Sequence, residues 1–238
     1  MKAIFLKEMN AYFKSPLGFT IIGIFFFFAG LFYSMIFAQG VADSGIMFHQ
    51  MFIILLFLIP ILTMRLFSEE KRQKTDQALL SSPASLFHIV AGKFLAALSV
   101  LGIAMSIFLI LQIVTAAYAS RAEVSVDWLV FIGNMLGMLL LASALIAIGI
   151  FISALTESQM VAAIIGFSVS LLLIMLDSFA HSLPFAFLRN TALFLSFMER
   201  YYAFTRGILS YADVIFFISV AILFMFFTAK ILERKRYA

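Results

Sequence analysis

The chain has no cysteine. Disulfide scaffolds, thiolate zinc sites and cysteine nucleophiles are therefore excluded, and redox compartment leaves no mark on the sequence. Charge is scarce too. Only 12% of the 238 residues are charged and 64% are hydrophobic, against roughly 25% and 45–50% in soluble domains. A water-bounded core does not fit that composition. The phosphate-cradling pattern G-x-x-x-x-G-K-[ST] is missing: Ala91-Gly92-Lys93-Phe94 has the Gly-Lys but neither the upstream glycine nor a hydroxyl after the lysine. G-x-S-x-G, H-E-x-x-H and clustered histidines are missing as well. Catalysis by this polypeptide alone is not expected, and it is read as a non-enzyme. Repeats of 20–50 residues and low-complexity linkers are also lacking, so one membrane domain, residues 1–238, is the simplest division.

What is present is a series of long apolar runs containing many of the 30 phenylalanines. A spanning helix needs about 20 mostly apolar residues. Charge-free windows trimmed by turn signals predict six, at 17–39, 47–66, 87–118, 128–155, 160–181 and 211–232. The fold class is thus an all-α integral membrane protein with six transmembrane helices. The run after Lys14 is uncharged until Asp43, longer than the roughly 7–15 apolar residues of a signal peptide, and is expected to remain as a span. Pro16 suits the first turn of a helix. Pro60 removes one backbone bond within the second span and should kink it.

Lys and Arg set the orientation. With both termini inside, twelve of sixteen lie there: Lys2, Lys7, Lys14, Arg65, Lys71, Arg72, Lys74, Lys93, Lys230, Arg234, Lys235 and Arg236. Arg121, Arg189, Arg200 and Arg206 lie outside. The net charge of +4 is read as a topology signal, not as nucleic-acid binding. Residues 1–15 read as an amphipathic helix on the inner surface, with Ile4, Phe5, Met9, Tyr12 and Phe13 apolar and Lys7, Glu8 and Lys14 elsewhere. In 185–210, Phe194, Phe197, Tyr201, Phe204 and Ile208 share a helical face, with Ser196, Glu199 and Arg206 on another. Over 190–209 this predicts one interfacial or partly re-entrant helix on the outer side.

Ionisable groups inside a span usually mark ion-coupled transport, and the middles of these spans contain none. Asp177, His181 and His49 fall near outer ends. Asp177 and His181 are spaced to pair on one helix face, but two ligands without a third make a poor metal site.

One stretch breaks the pattern. R-L-F-S-E-E-K-R-Q-K-T-D-Q-A-L-L-S-S-P, residues 65–83, contains seven charges: Arg65, Glu69, Glu70, Lys71, Arg72, Lys74 and Asp76. Helix formers run from Leu66 to Lys74. Thr75 can cap a second short helix with Asp76 in its first turn and Leu79 and Leu80 on one edge. Ser81-Ser82-Pro83 ends it, and Ser85 can cap the next span. The bland alternative is a solvated loop that only fixes topology. A charged rim around two leucines also suits insertion into a groove on a soluble partner.

That run, with V-A-G-K-F at 90–94, F-I-S-A-L-T-E-S-Q at 151–159, Y-Y-A-F-T-R-G-I-L-S-Y-A-D-V-I-F-F at 201–217 and the C-terminal L-E-R-K-R-Y, resembles the type-two ABC exporter permease family, and within it the gliding-motility-type permeases of bacteria. The likeness extends over essentially the whole chain. Lys74 departs from it where glycine is expected. The resemblance implies a multi-pass subunit of the bacterial cytoplasmic membrane. It would pair with an identical or similar permease and bind a cytoplasmic ATP-binding subunit, and an extracytoplasmic accessory protein is a further candidate partner. This chain would hold no cofactor, ATP and Mg being bound by the partner. A coupling helix at 67–83 is implied, with Glu69, Glu70, Lys71, Arg72, Thr75, Asp76, Leu79 and Leu80 as contacts and Thr156 and Glu157 as a second contact. An outer hairpin at 185–210 would help gate, through Phe194, Phe197, Glu199, Tyr201 and Arg206. Phe52, Leu55, Ile59 and Met175 are candidates for a translocation surface, with core packing as the alternative for each. An ATP-independent transporter or channel, and a non-transporting anchor of a motility or envelope complex, are the competing readings.

Overall fold

The computed structural model describes residues 1–38, 44–75, 77, 85–119, 126–182 and 185–237. Among these every regular element is a helix. In chain order they are α1 (Lys2–Lys14), α2 (Pro16–Ala38), α3 (Ser44–Thr63), α4 (Arg65–Arg72), α5 (Leu86–Ala119), α6 (Trp128–Leu155), α7 (Gln159–Ser182), α8 (Ala186–Leu195), α9 (Phe197–Thr205) and α10 (Tyr211–Tyr237). Six helices are long and apolar enough to cross a membrane: α2, α3 together with α4, α5, α6, α7 and α10.

Local chemistry places several of the ends. Pro16 opens α2, where its missing N–H costs nothing. Ser85 Oγ accepts from His88 N at 3.3 Å to start α5. Asp127 Oδ1 accepts from Leu129 N at 2.9 Å and Val130 N at 3.2 Å to start α6. The last helix extends five residues past the expected 232, to Tyr237, because Glu233, Arg234, Lys235 and Arg236 are themselves good helix formers.

α6 is the centre of the bundle. It packs against α3, α4, α5, α7, α9 and α10, and α3 and α6 bury the largest share of their spans. α2, α7 and α10 present most of their surface outward, including Phe19, Phe27, Ile164, Leu172 and Ile222. Two glycines permit the close approaches on α6. A Cβ at Gly149 would come within 2.2 Å of Thr63 Oγ1, and one at Gly137 within 2.5 Å of the Phe204 Cβ. Neither has room for a methyl group.

Two expectations change. The second span runs past its expected end at 66: Met64 N still bonds to Pro60 O at 2.9 Å, and α4 carries α3 onward to Arg72. Thr75 closes the end of α4, its N–H and hydroxyl both bonding back to Glu70 O, at 2.9 and 3.3 Å; the second short helix it was expected to cap lies outside the described residues except for Gln77. Asp76, Leu79 and Leu80 fall outside the described residues, as do the side chains of Asp177 and His181. The single helix expected over 190–209 is two helices broken at Ser196. That residue turns to an extended ψ of 119° and accepts from Glu199 N at 3.1 Å.

A charged junction as the candidate functional site

The charged stretch does not float. It is fastened to three other helices. α1 has an inward face running Ile4, Glu8, Tyr12, one turn apart, with Ile4 partly buried and Glu8 and Tyr12 buried, so Glu8 points inward and not to solvent as its charge suggested. Opposite it, Lys93 lies in the second turn of α5 and is only 1% exposed. Its Nζ donates to Glu8 Oε1 at 2.6 Å and to Leu66 O at 2.6 Å. Glu70 Oε2 is 3.0 Å away, close enough for an ion pair but at an angle that makes no hydrogen bond. The ring of Phe67 covers the remaining side, 4.9 Å from Nζ. Glu70 Oε1 accepts from Lys7 at the rim, at 2.7 Å. Two carboxylates thus meet two ammoniums, and the cluster is neutral. A buried charge survives only with such compensation.

Lys7 reports the balance. Burial draws its ammonium down, but the hydrogen bond and charge of Glu70, with Glu8 and Glu69, outweigh that and hold it above its ordinary value.

A second set of contacts reaches α6. Ser153, fully buried, accepts from Phe67 N at 3.1 Å and Ser68 N at 3.2 Å and donates to Met64 O at 3.0 Å. It caps the first turn of α4 from another helix, where α4 has no side-chain cap of its own. Lys71 Nζ donates to Ala154 O, at the C-terminal end of α6 where the helix dipole favours a cation. On the far side, Tyr12 donates to Leu62 O at 2.7 Å; burial pushes that phenol up. Arg65 lies over the Tyr12 ring, donates to Ser15 Oγ at 3.0 Å and pairs with Glu69 at 3.3 Å.

The end of α4 explains the lysine at 74. Thr75 N bonds to Glu70 O and Lys74 N to Lys71 O, at 2.9 and 3.0 Å. That pairing demands a left-handed residue at position 74, where glycine is the usual solution. Lys74 adopts it, with φ 55°.

The expected contact residues therefore divide. Glu70 and Lys71 are buried within the chain, and Glu69 is half-buried beside Arg65. Arg72, Gln73, Lys74 and Thr75 are exposed. Thr156 and Glu157 form the turn between α6 and α7, with Thr156 Oγ1 accepting from Ser158 N at 3.0 Å. α4 packs against both of those helices, so the two stretches lie at one end of the bundle. Sequence reasoning missed Glu8, Lys93 and Ser153: Glu8 meets Lys93, and Ser153 meets Phe67 and Ser68, each 85 or more residues away.

At the other end, α9 carries Phe197, Tyr201 and Phe204 into the core. Tyr201 donates to Phe48 O at 2.7 Å and stacks on Phe52. Phe194 and Ile208 are exposed, as are Glu199 and Arg206, because the break at Ser196 takes Phe194 off that face. Arg200 lies over the Phe194 and Phe216 rings and pairs with Asp213 at 2.5 Å. Phe52, Leu55 and Ile59 are core residues, whereas Met175 is exposed on α7; the four share no open surface of the single chain.

Six helices are thus long and apolar enough to cross a membrane, and at one end of the bundle a buried charge cluster fastens α4 to its neighbours. A comparison with curated proteins found no match. Residues 3–235 match the family described as ABC-2 family transporter protein. The chain belongs to that family, and is a multi-pass membrane permease of the ABC-2 type.

Proposed function

We propose that the chain is the membrane-spanning half of an ATP-driven exporter, and that α4 is the handle by which a separate ATP-binding subunit moves it. The family makes association with such a subunit the natural expectation. The observation that carries the reading is the junction around Lys93. A loop that only set topology would need no buried cation with two carboxylates, and no cap delivered from α6. Here α1, α4, α5 and α6 are joined at one point. A push on the exposed Arg72–Thr75 end would reach four helices together.

In this reading both termini lie in the cytoplasm of a bacterial cell. ATP and Mg are held by the partner, two permeases pair, and closure of the ATP-binding subunits switches access at the seam between them. The switch requires two states of different nucleotide affinity. Buried Glu70 and Lys71 act as transmitters, while Arg72, Thr75 and Glu157, with Asp76, Leu79 and Leu80 beyond, form the contact. The outer pair α8 and α9 serves as a hairpin gate. The motifs favour the gliding-motility-type branch of the family.

The test is affinity purification in mild detergent, with identification of what accompanies the chain. A stoichiometric ATP-binding subunit is expected, and Arg72→Glu should weaken its retention and its ATPase stimulation while the permease stays folded. Recovery of the folded chain alone across several detergents would overturn the reading.

A further inference from the structure

We propose that the cavity between the start of α5 and the last turns of α10 binds the phosphate headgroup of an anionic phospholipid. The cavity has a volume of ≈ 480 Å³, within the usual range of ligand sites of roughly 300–1,000 Å³. One wall is apolar, formed by Phe87 and Phe226, both about half exposed. The other is polar, formed by Ser85, Lys230, Glu233 and Arg236. Grease on one side and cations on the other is the arrangement that an acyl chain and its phosphate require.

The charges favour an anion. Lys230, Arg234, Lys235 and Arg236 crowd the last two turns of α10, against the single carboxylate of Glu233. Glu233 pairs with Lys230 at 2.6 Å, but both side chains are widely exposed, and such a pair is weak enough for a phosphate to displace. Ser85 Oγ, 2.6 Å from His88 Nδ1, offers a hydroxyl at the rim, with His88 the nearby titratable group on α5. The occupant is a lipid and not a soluble phosphate because the cavity sits where an apolar span gives way to its basic flank. Basic pockets between helices at that boundary are the usual seats of anionic headgroups. The inference stands apart from the ATP-binding partner and does not depend on it.

Native mass spectrometry of the full chain tests it, after equilibration with phosphatidylglycerol or with phosphatidylcholine. Retention of phosphatidylglycerol is expected to exceed that of phosphatidylcholine. Each basic residue near the surface is worth a factor of about five, so the double variant Lys230→Gln with Arg236→Gln should lose retention by about 30-fold. Lys230→Arg with Arg236→Lys should keep it and guards against a folding defect. Lys14→Gln, which removes one cation at the far end of α1, should also keep it. Equal retention of the two lipids, or an equal loss in Lys14→Gln, would overturn the site. Displacement of the lipid by inorganic phosphate alone would assign the cavity to a soluble anion and overturn the lipid.

Discussion

The two ends of α3 are held by the same device. A buried tyrosine hydroxyl donates to a backbone carbonyl of α3 at each end: Tyr12 to Leu62 and Tyr201 to Phe48, both at 2.7 Å. The surroundings then diverge. Around Tyr12 the packing is ionic and directional, with Arg65, Glu8, Lys93 and Glu70 in fixed pairings. Around Tyr201 it is aromatic, with Phe52 stacked on the ring, and Phe197, Phe204 and Phe217 packed nearby. Ionic contacts with three or four fixed partners tolerate little relative movement. Aromatic faces can slide and re-stack at small cost, since their attraction is spread over many weak contacts. The same helix is thus gripped firmly at its charged end and softly at its aromatic end. In the proposed function, where the bundle is driven from one end and opens at the other, that inequality is what is required.

Breaking the grip should have the largest effect. Lys93→Met leaves Glu8 buried without a cation, and Glu70 with only Lys7 at the rim, and should cost about 3–5 kcal/mol of unfolding free energy in detergent. Adding Glu8→Gln and Glu70→Gln should return much of it, because no buried charge is then stranded and Lys7, exposed at the rim, stays hydrated. No rescue in the triple variant would mean that Lys93 acts through its packing alone. At the soft end, Phe204→Ala should cost about 3 kcal/mol, with no polar partner whose removal compensates. Ser153→Ala leaves the first turn of α4 uncapped and should cost about 2 kcal/mol. Hydrogen exchange at Phe67 and Ser68 is expected to rise first, and unchanged protection there would deny Ser153 its role. Tyr12→Phe and Tyr201→Phe should each cost about 1 kcal/mol. Being far apart, they should add in the double variant; a coupled loss would mean that α3 transmits strain between its ends.

The smallest effect is in alkali. The folded chain holds Lys7 above its ordinary value of 10.5. Its contribution is therefore fully present below that pH and lost as pH rises through the raised value. Lys7→Met should remove that part of the alkaline dependence, read as the midpoint of unfolding against pH.

The spans were legible because lipid imposes a length and a composition that sequence displays directly. Trp128–Leu155 is the helix expected from its charge-free run. The break at Ser196 was legible too, though it was passed over: Ser196-Phe197-Met198-Glu199 is the capping-box spacing that starts a helix, and Ser196 does cap α9. The charged junction was not legible in its details. Charge in 65–83 suggested solvent, yet Glu70 turns inward toward Lys93 on α5 and Lys71 toward the Ala154 carbonyl on α6. Periodicity carries no record of such distant pairings. The lysine at 74 looked like a departure from a pattern; the left-handed turn it occupies shows what glycine would have done there.

The neutrality of the cluster has a consequence for how the chain is made. Glu8 leaves the ribosome first, and its cation follows 85 residues later. At roughly 5–20 residues per second that is a wait of about 4–17 s. A carboxylate cannot spend that time unpaired in hydrocarbon. On a short helix that is not one of the six candidate spans, it can stay hydrated until the third span arrives. The order of the sequence thus sets an order of assembly: the amphipathic helix waits outside, Glu70 comes next and meets Lys7, and Lys93 closes the lock last.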